Sequence, residues 1–252
     1  MSSSEAPALS IIIPALNEAR SIGPTLDAVS QLAGSFEVIV VDGGSDDGTR
    51  EIASAHGAMV ISSEGGRGVQ MHKGACVAQG EALWFLHADT VVPADGAHLI
   101  VEAMYDRRVV AGNFNICFNG QGKAARFMTW LYPQLRRLGL CYGDSAIFVR
   151  REAYERVGGF KPFPVFEDVD LMTRLRRRGR IVHLAAVVET SSRRFEGRSF
   201  VVTFARWASL QVLYWVGVKP TTLARMYAPI RQTEPQVVVI GREDRSRKPA
   251  TN

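Results

Sequence analysis

The 252-residue sequence predicts an α/β fold: a mostly parallel sheet flanked by helices, with a helical segment toward the C-terminus. Three observations carry that prediction. Short apolar runs (SIIIP, FEVIVVD, MVIS, LWFL) recur between stretches with helical punctuation. The runs are continuous rather than alternating, as strands buried on both faces are. Polar residues then gather directly after the runs, at Asn17-Glu18, Asp42 to Thr49 and His87 to Asp89. That is the rim where open α/β sheets bind ligands.

In chain order, ALSIIIP reads as the first strand, since the residue before Pro14 is held extended. SIGPTLDAVSQL follows as a helix with Pro24 near its first turn. FEVIVVDGG is the second strand, TREIASAHG a helix and AMVISS the third strand. A glycine-rich loop, Glu64 to Gly68, leads into the helix VQMHKGACVAQ, and EALWFLHAD is the fourth strand. AHLIVEAMYD is helical, VVAGNFNICF a strand, GKAARFMTWLYPQLRRLG a helix. DSAIFVRREAYERVGGF gives a strand and then a short helix ending at Gly158-Gly159. EDVDLMTRLRRRG has the acidic start and basic end that a helix dipole favours. RIVHLAAVVET is a late strand. FVVTFARWASLQVLYWVGV contains Arg206 and Gln211, so it reads as a helix on a membrane face or packed on the domain, not as a span. The expected organisation is a flexible N-terminus (1–8), a domain (9–195), an apolar helical segment (196–231) and a polar tail (232–252).

Composition narrows the function classes. At 46% hydrophobic and 22% charged residues the chain can bury a large core. Cys76, Cys117 and Cys141 are scattered without a CxxC spacing, which argues against a zinc site or disulfide framework and for a reducing cytosol. The start lacks a basic region and Pro14 breaks its apolar run, unlike a signal peptide. The net charge of +5 suits nucleic acid, an anionic membrane or a phosphorylated substrate. No RNA-binding or zinc-finger pattern is present, so nucleic acid is not expected.

The segments SIIIPALNEARSI, VIVVDGGSDDGT, ALWFLHADT, AIFVRREAYERVGGF and FEDVDLMTRLRRRG together resemble a family 2 glycosyltransferase. The likeness runs from about Leu9 to Arg194. It implies the GT-A fold, a Rossmann-like sheet, and a hexosyltransferase-type enzyme that inverts the sugar of a nucleotide donor. The LHADT form resembles a bacterial subgroup of radical-SAM/selenodomain-associated transferases.

By that resemblance Pro14, Ala15 and Glu18 line the base and ribose, and Asp42 accepts a hydrogen bond from the base, uracil being the expectation. Arg67 meets the base or diphosphate; a solvated loop arginine is the equal alternative. Asp89 matches the last acid of the family's Asp-x-Asp element and would hold Mg²⁺ or Mn²⁺ against the diphosphate. His87 replaces the first acid. It could donate to a ribose hydroxyl, ligate a softer metal, or merely cap the strand. Asp168, in the Glu167-Asp168 pair, corresponds to the general base. Acids at a helix start also satisfy N–H groups, which is the bland reading of the same pair.

Arg174, Arg176, Arg177, Arg178 and Arg180 read as a solvated helix end. Arg193 and Arg194 read either as a phosphate site or as a loop tether. The Gln-x-x-Arg-Trp element of processive synthases is half present, with Arg206-Trp207 but Thr203 in place of glutamine, which argues against polymer extrusion. The expected partners are a nucleotide-sugar donor, a UDP-sugar first, and a hydroxyl acceptor. The acceptor is a lipid or lipid phosphate at the cytoplasmic membrane face, reached by peripheral contact, or a small soluble molecule. Two other functions compete: a nucleotidyltransferase, although the loop PALNEARS lacks the usual phosphate-binding glycines, and a non-catalytic sugar-nucleotide binder.

Overall fold

The computed structural model describes residues 7–120, 122–137, 141–191 and 200–226. Among these, eight strands form one sheet: β1 (Leu9–Ala15), β2 (Phe36–Asp42), β3 (Met59–Ser62), β4 (Ala82–Phe85), β5 (Thr90–Val91), β6 (Val109–Asn119), β7 (Phe148–Arg150) and β8 (Arg180–Ser191). Their order is β3-β2-β1-β4-β7-β6-β8-β5. The half β3-β2-β1-β4 is parallel throughout. β7 runs antiparallel to both β4 and β6, β8 is parallel to β6, and the short β5 is antiparallel to β8. The expected α/β architecture with a mostly parallel sheet is therefore present.

The helices α1 (Ala19–Ser30), α2 (Thr49–Ala55), α4 (Gly96–Ala103) and α5 (Lys123–Arg137) cover one face; α3 (Arg67–Val77), α6 (Arg151–Arg156) and α7 (Glu167–Arg176) cover the other. β1 explains its own sequence: Ile11 and Ile13 enter the first core and Ile12 the second, and its one polar side chain, buried Ser10, is paired with Glu37 Oε1 and Gly80 N–H. α3 lies close on the sheet at Gly74, where a Cβ would stand 2.5 Å from Ile12 Cγ2.

Two differences from the sequence reading bear on the site. β4 stops at Phe85, so His87 and Asp89 lie in the turn beyond the strand. α3 begins at Arg67, inside the segment read as a loop, because Gly66 (φ 87°) turns the chain directly into the helix.

The apolar C-terminal stretch forms α8 (Phe200–Trp215), followed by α9 (Pro220–Met226). Leu210 of α8 and Leu223 of α9 pack with Phe166 and Val169 at the start of α7, and Tyr214 stacks on Phe166 at 4.9 Å. Among the described residues no helix is long and apolar enough to cross a membrane. The tail from residue 232, most of the N-terminal segment, and Arg193 and Arg194 lie outside the described residues.

Candidate functional site

Three strand ends and one tight turn meet on a single rim. Pro14 and Ala15 are buried at the end of β1, and Ala15 pairs in register with Asp42 at the end of β2. Buried Gln70 of α3 clamps the two ends, donating from Nε2 to Ala15 O and Val41 O, each at 3.0 Å. Asp42 is fully buried. Its carboxylate accepts the N–H groups of Gly44 (3.0 Å) and Ser45 (3.2 Å), so its first task is to fold the loop after β2. A carboxylate has about four lone-pair sites, which leaves capacity for a further donor.

That loop is tied to the one after β1. Asn17 N–H donates to Ser45 Oγ (2.9 Å), Asp46 N–H to Asn17 Oδ1 (3.1 Å) and Glu18 N–H to Thr49 Oγ1 (2.9 Å). Asp47 accepts the N–H of Ala19 at the first turn of α1 (3.0 Å) and the Thr49 hydroxyl. Partial burial pushes the Asp47 carboxyl up, but these hydrogen bonds outweigh it and hold the pKa below the usual range. Two of the apparent ligand loops are thus one hydrogen-bonded unit, and Glu18 sits in it through its backbone.

Arg67, His87 and Asp168 converge from three elements. Arg67 Nε donates to Glu167 Oε1 at 2.6 Å, and its Nη1 lies 3.2 Å from His87 Nε2. Desolvation works against the Arg67 charge, yet Glu167, Asp168 and Asp144 more than offset it and raise the pKa further. The guanidinium is therefore a fixed cation facing three carboxylates. Its side chain remains 36% exposed, open to the cleft.

Asp168 is 5% exposed, at the start of α7. It accepts the N–H of Gly143 (2.5 Å) at Oδ2 and of Val169 (2.7 Å) at Oδ1. Burial and the adjacent Glu167 carboxylate push its pKa up to about 6, against the lowering pull of Arg67 and the two N–H donors. A carboxylate of that pKa is ionised at neutral pH and still basic enough to take a proton. The helix-start reading is partly realised too, since one of its oxygens accepts a backbone N–H of α7.

Gly143 belongs to a 3₁₀ turn, Gly143–Ser145, that leads into β7. A Cβ there would lie 3.1 Å from His87 Nε2 and 3.3 Å from Asp168 Oδ2, so glycine keeps the space between imidazole and carboxylate open. The next residue, Asp144, places Oδ1 3.1 Å from His87 Nδ1. Three non-glycine residues with left-handed backbone flank this region: Asn17 (φ 56°), Ala146 (φ 52°) and Phe166 (φ 61°). Such conformations cost on the order of 1–3 kcal/mol each and persist where surrounding structure imposes them. Tyr214 stacking on Phe166 is such support beside Asp168.

Sequence reasoning missed Gly143 and Asp144. Their only sequence signal is the polar pair GD before the apolar run AIFV. It also assigned no role to Tyr142, whose hydroxyl donates to Gln211 of α8 (3.0 Å) and whose ring meets Trp207 at 5.1 Å. Asp89 lies in the turn beyond His87, partly buried.

Among the described residues no group of three or more His, Cys, Asp or Glu is placed to hold a metal ion. A cage made of protein alone is not the relevant arrangement for Mg²⁺ or Mn²⁺ beside phosphates, where one or two protein ligands suffice. The residue types present fit that case: Asp89 and the imidazole of His87, two half-buried residues of the same turn.

Residues 10–158 match the family model "Glycosyl transferase family 2". The PGL/p-HBAD biosynthesis glycosyltransferase of Mycobacterium tuberculosis (strain ATCC 25177 / H37Ra) is 31% identical over 188 residues, 67% of this chain and 70% of that one. Glycosyltransferase AglE of Haloferax volcanii is 30% identical over 175 residues, 63% of this chain and 56% of its own. Among solved structures, the mannosyltransferase PcManGT from Pyrobaculum calidifontis, in complex with GDP-Man and Mn²⁺, superposes with a TM-score of 0.66 at 21% identity, covering 89% of this chain and 70% of that one. S. aureus TarS 1-349 in complex with UDP gives 0.62 at 19% identity and 73% coverage, and this chain spans 60% of that fragment. The structural likenesses establish the GT-A fold, and with the sequence match they make the chain a member of glycosyl transferase family 2, a glycosyltransferase.

Proposed function

We propose that this glycosyltransferase transfers a single sugar, with inversion, from a nucleotide sugar to an acceptor hydroxyl, and that Asp168 is its general base. The observation that carries the reading is the environment of Asp168: buried, raised to about 6, and held by Gly143 N–H on the rim where the strand ends meet. The donor reading draws support from relatives of the same fold in complex with UDP or with GDP-Man and Mn²⁺. The LHADT element keeps the radical-SAM/selenodomain-associated subgroup as part of this proposal, and 9–195 as the catalytic domain.

In this scheme Pro14, Ala15 and the paired loops receive the nucleoside, and Asp42 and Glu18 offer acceptors to base and ribose. Arg67 exchanges its contact with Glu167 for the donor diphosphate, a move its open side and fixed charge allow. Asp168 takes the proton of the acceptor hydroxyl as that oxygen bonds to the anomeric carbon. The bond from this carbon to the diphosphate breaks on the opposite face, and the nucleoside diphosphate leaves with the electron pair. A divalent cation held at Asp89 would neutralise charge on the departing diphosphate.

A membrane-facing acceptor is a second element of the proposal, favoured by one observation. Trp130 of α5 and Trp215 of α8 are 62% and 59% exposed, with Val201, Val202 and Val212 of α8 and Val216 directly after it also uncovered. Exposed apolar patches with aromatic side chains suit a lipid interface.

The test is product analysis with UDP-glucose and GDP-mannose in Mn²⁺. Release of nucleoside diphosphate, lost in Asp168→Asn with donor binding retained, is the expected result. Pyrophosphate as product would mean nucleotidyl transfer, and undiminished transfer by Asp168→Asn would remove that residue from the role of base.

A further inference from the structure

His87 makes two contacts that together define which of its ring nitrogens can accept. Arg67 Nη1 lies 3.2 Å from Nε2, and a guanidinium nitrogen can only donate, so Nε2 presents its lone pair. Nδ1 lies 3.1 Å from Asp144 Oδ1, an acceptor, so Nδ1 carries the hydrogen. Asp144 is held for this by its turn. Asn113 Nδ2 donates to Ser145 Oγ (2.9 Å), and Ser145 Oγ in turn donates to Tyr142 O (2.5 Å). The preceding residue, Gly143, grips Asp168. One turn therefore orients the imidazole and the base together.

We propose that Asp144 is a positioning residue that aims His87 Nε2 into the cleft as a nitrogen ligand for the divalent cation of the donor complex, beside Asp89, and that Arg67 occupies this lone pair until the donor arrives. The inference rests on the donor-site reading above. A carboxylate behind a histidine, fixing its tautomer and raising its basicity, is the usual support for a metal-bound imidazole. It assigns His87 a task that neither a ribose contact nor a strand cap requires. An imidazole ligand also suits Mn²⁺ better than Mg²⁺, which prefers an all-oxygen shell.

The experiment reads the metal directly. Full-length protein with ¹⁵N-labelled histidine is loaded with Mn²⁺ and UDP, or with Mn²⁺ and GDP, and studied by pulsed electron paramagnetic resonance against unlabelled protein. A directly coupled nitrogen that changes with the isotope, and is lost in His87→Gln, is expected. In Asp144→Asn, Mn²⁺ affinity measured by equilibrium dialysis with UDP should fall about 10–100-fold. In His87→Asp, the ratio of Mn²⁺ to Mg²⁺ affinity should drop by at least about tenfold. Mn²⁺ and nucleotide binding together without histidine coupling, or an unchanged metal ratio in His87→Asp, would overturn the inference and leave the donor site standing. No binding of either nucleotide with any divalent metal would overturn both.

Discussion

Replacing Asp168 by asparagine should stabilise the metal-free protein at neutral pH even as it destroys transfer. The native carboxyl is raised from 3.8 to about 6 by burial and by Glu167. Between those values the native state holds a proton that the unfolded chain has released, so stability falls as pH rises through the window. Above pH 6 the full cost is present, on the order of 3 kcal/mol. Asparagine removes the charge. Its amide nitrogen, however, faces one of the two N–H groups from Gly143 and Val169, which returns about 1–2 kcal/mol. The net gain is about 1 kcal/mol, or roughly 2–4 °C in Tm for a chain of this size. Thermal melts in EDTA at pH 7.5 and pH 4 check it: the variant should melt higher at pH 7.5, and the gap should close or reverse at pH 4. A variant that melts below the wild type by the same margin at both pH values would show that Asp168 carries no raised pKa.

Other substitutions probe the same geometry. The acid limb of kcat/KM should bend near pH 6 and fall about tenfold per pH unit below it, because the protonated Asp168 cannot accept the acceptor proton. A pH–rate profile with no bend between pH 5 and 7 would contradict this. Gly143→Ala puts a methyl 3.1 Å from His87 Nε2 and 3.3 Å from Asp168 Oδ2, so transfer should drop at least about tenfold with Tm little changed. Steady-state kinetics beside a melt separates the two effects. Asp47→Ala removes the acceptor at the start of α1 and the tie between the first two loops. It should cost about 1–2 kcal/mol in urea unfolding and weaken nucleotide binding in calorimetry.

Much of the architecture was legible because burial on both faces leaves a simple mark. β1 and β2 are apolar at nearly every position, since successive side chains enter opposite cores. The punctuation after β2 and β4 was equally clear, and it located Asp42, His87 and Asp89 at strand ends. The acidic start and basic end of α7 were legible only as a helix-dipole pattern; it was the family resemblance of the Glu167-Asp168 pair that singled out Asp168. The exact starts of α3 and ends of β4 were less clear, because a glycine with positive φ and a strand turning at Leu86 leave the local composition unchanged.

The sequence by itself determined a layered α/β domain with polar strand ends, through the periodicity that two-sided burial imposes. Only the tertiary structure decided what those polar residues do to one another. β7 lies antiparallel beside β4, with Phe85 N–H bonded to Ile147 O at 2.8 Å, so the turn before β7 arrives where β4 ends. That reversal sets Asp144 on His87 and Gly143 on Asp168, pairs 57 and 25 residues apart that no local pattern could join. Side-chain periodicity records which face is buried; it carries no record of which distant loop will fold against it.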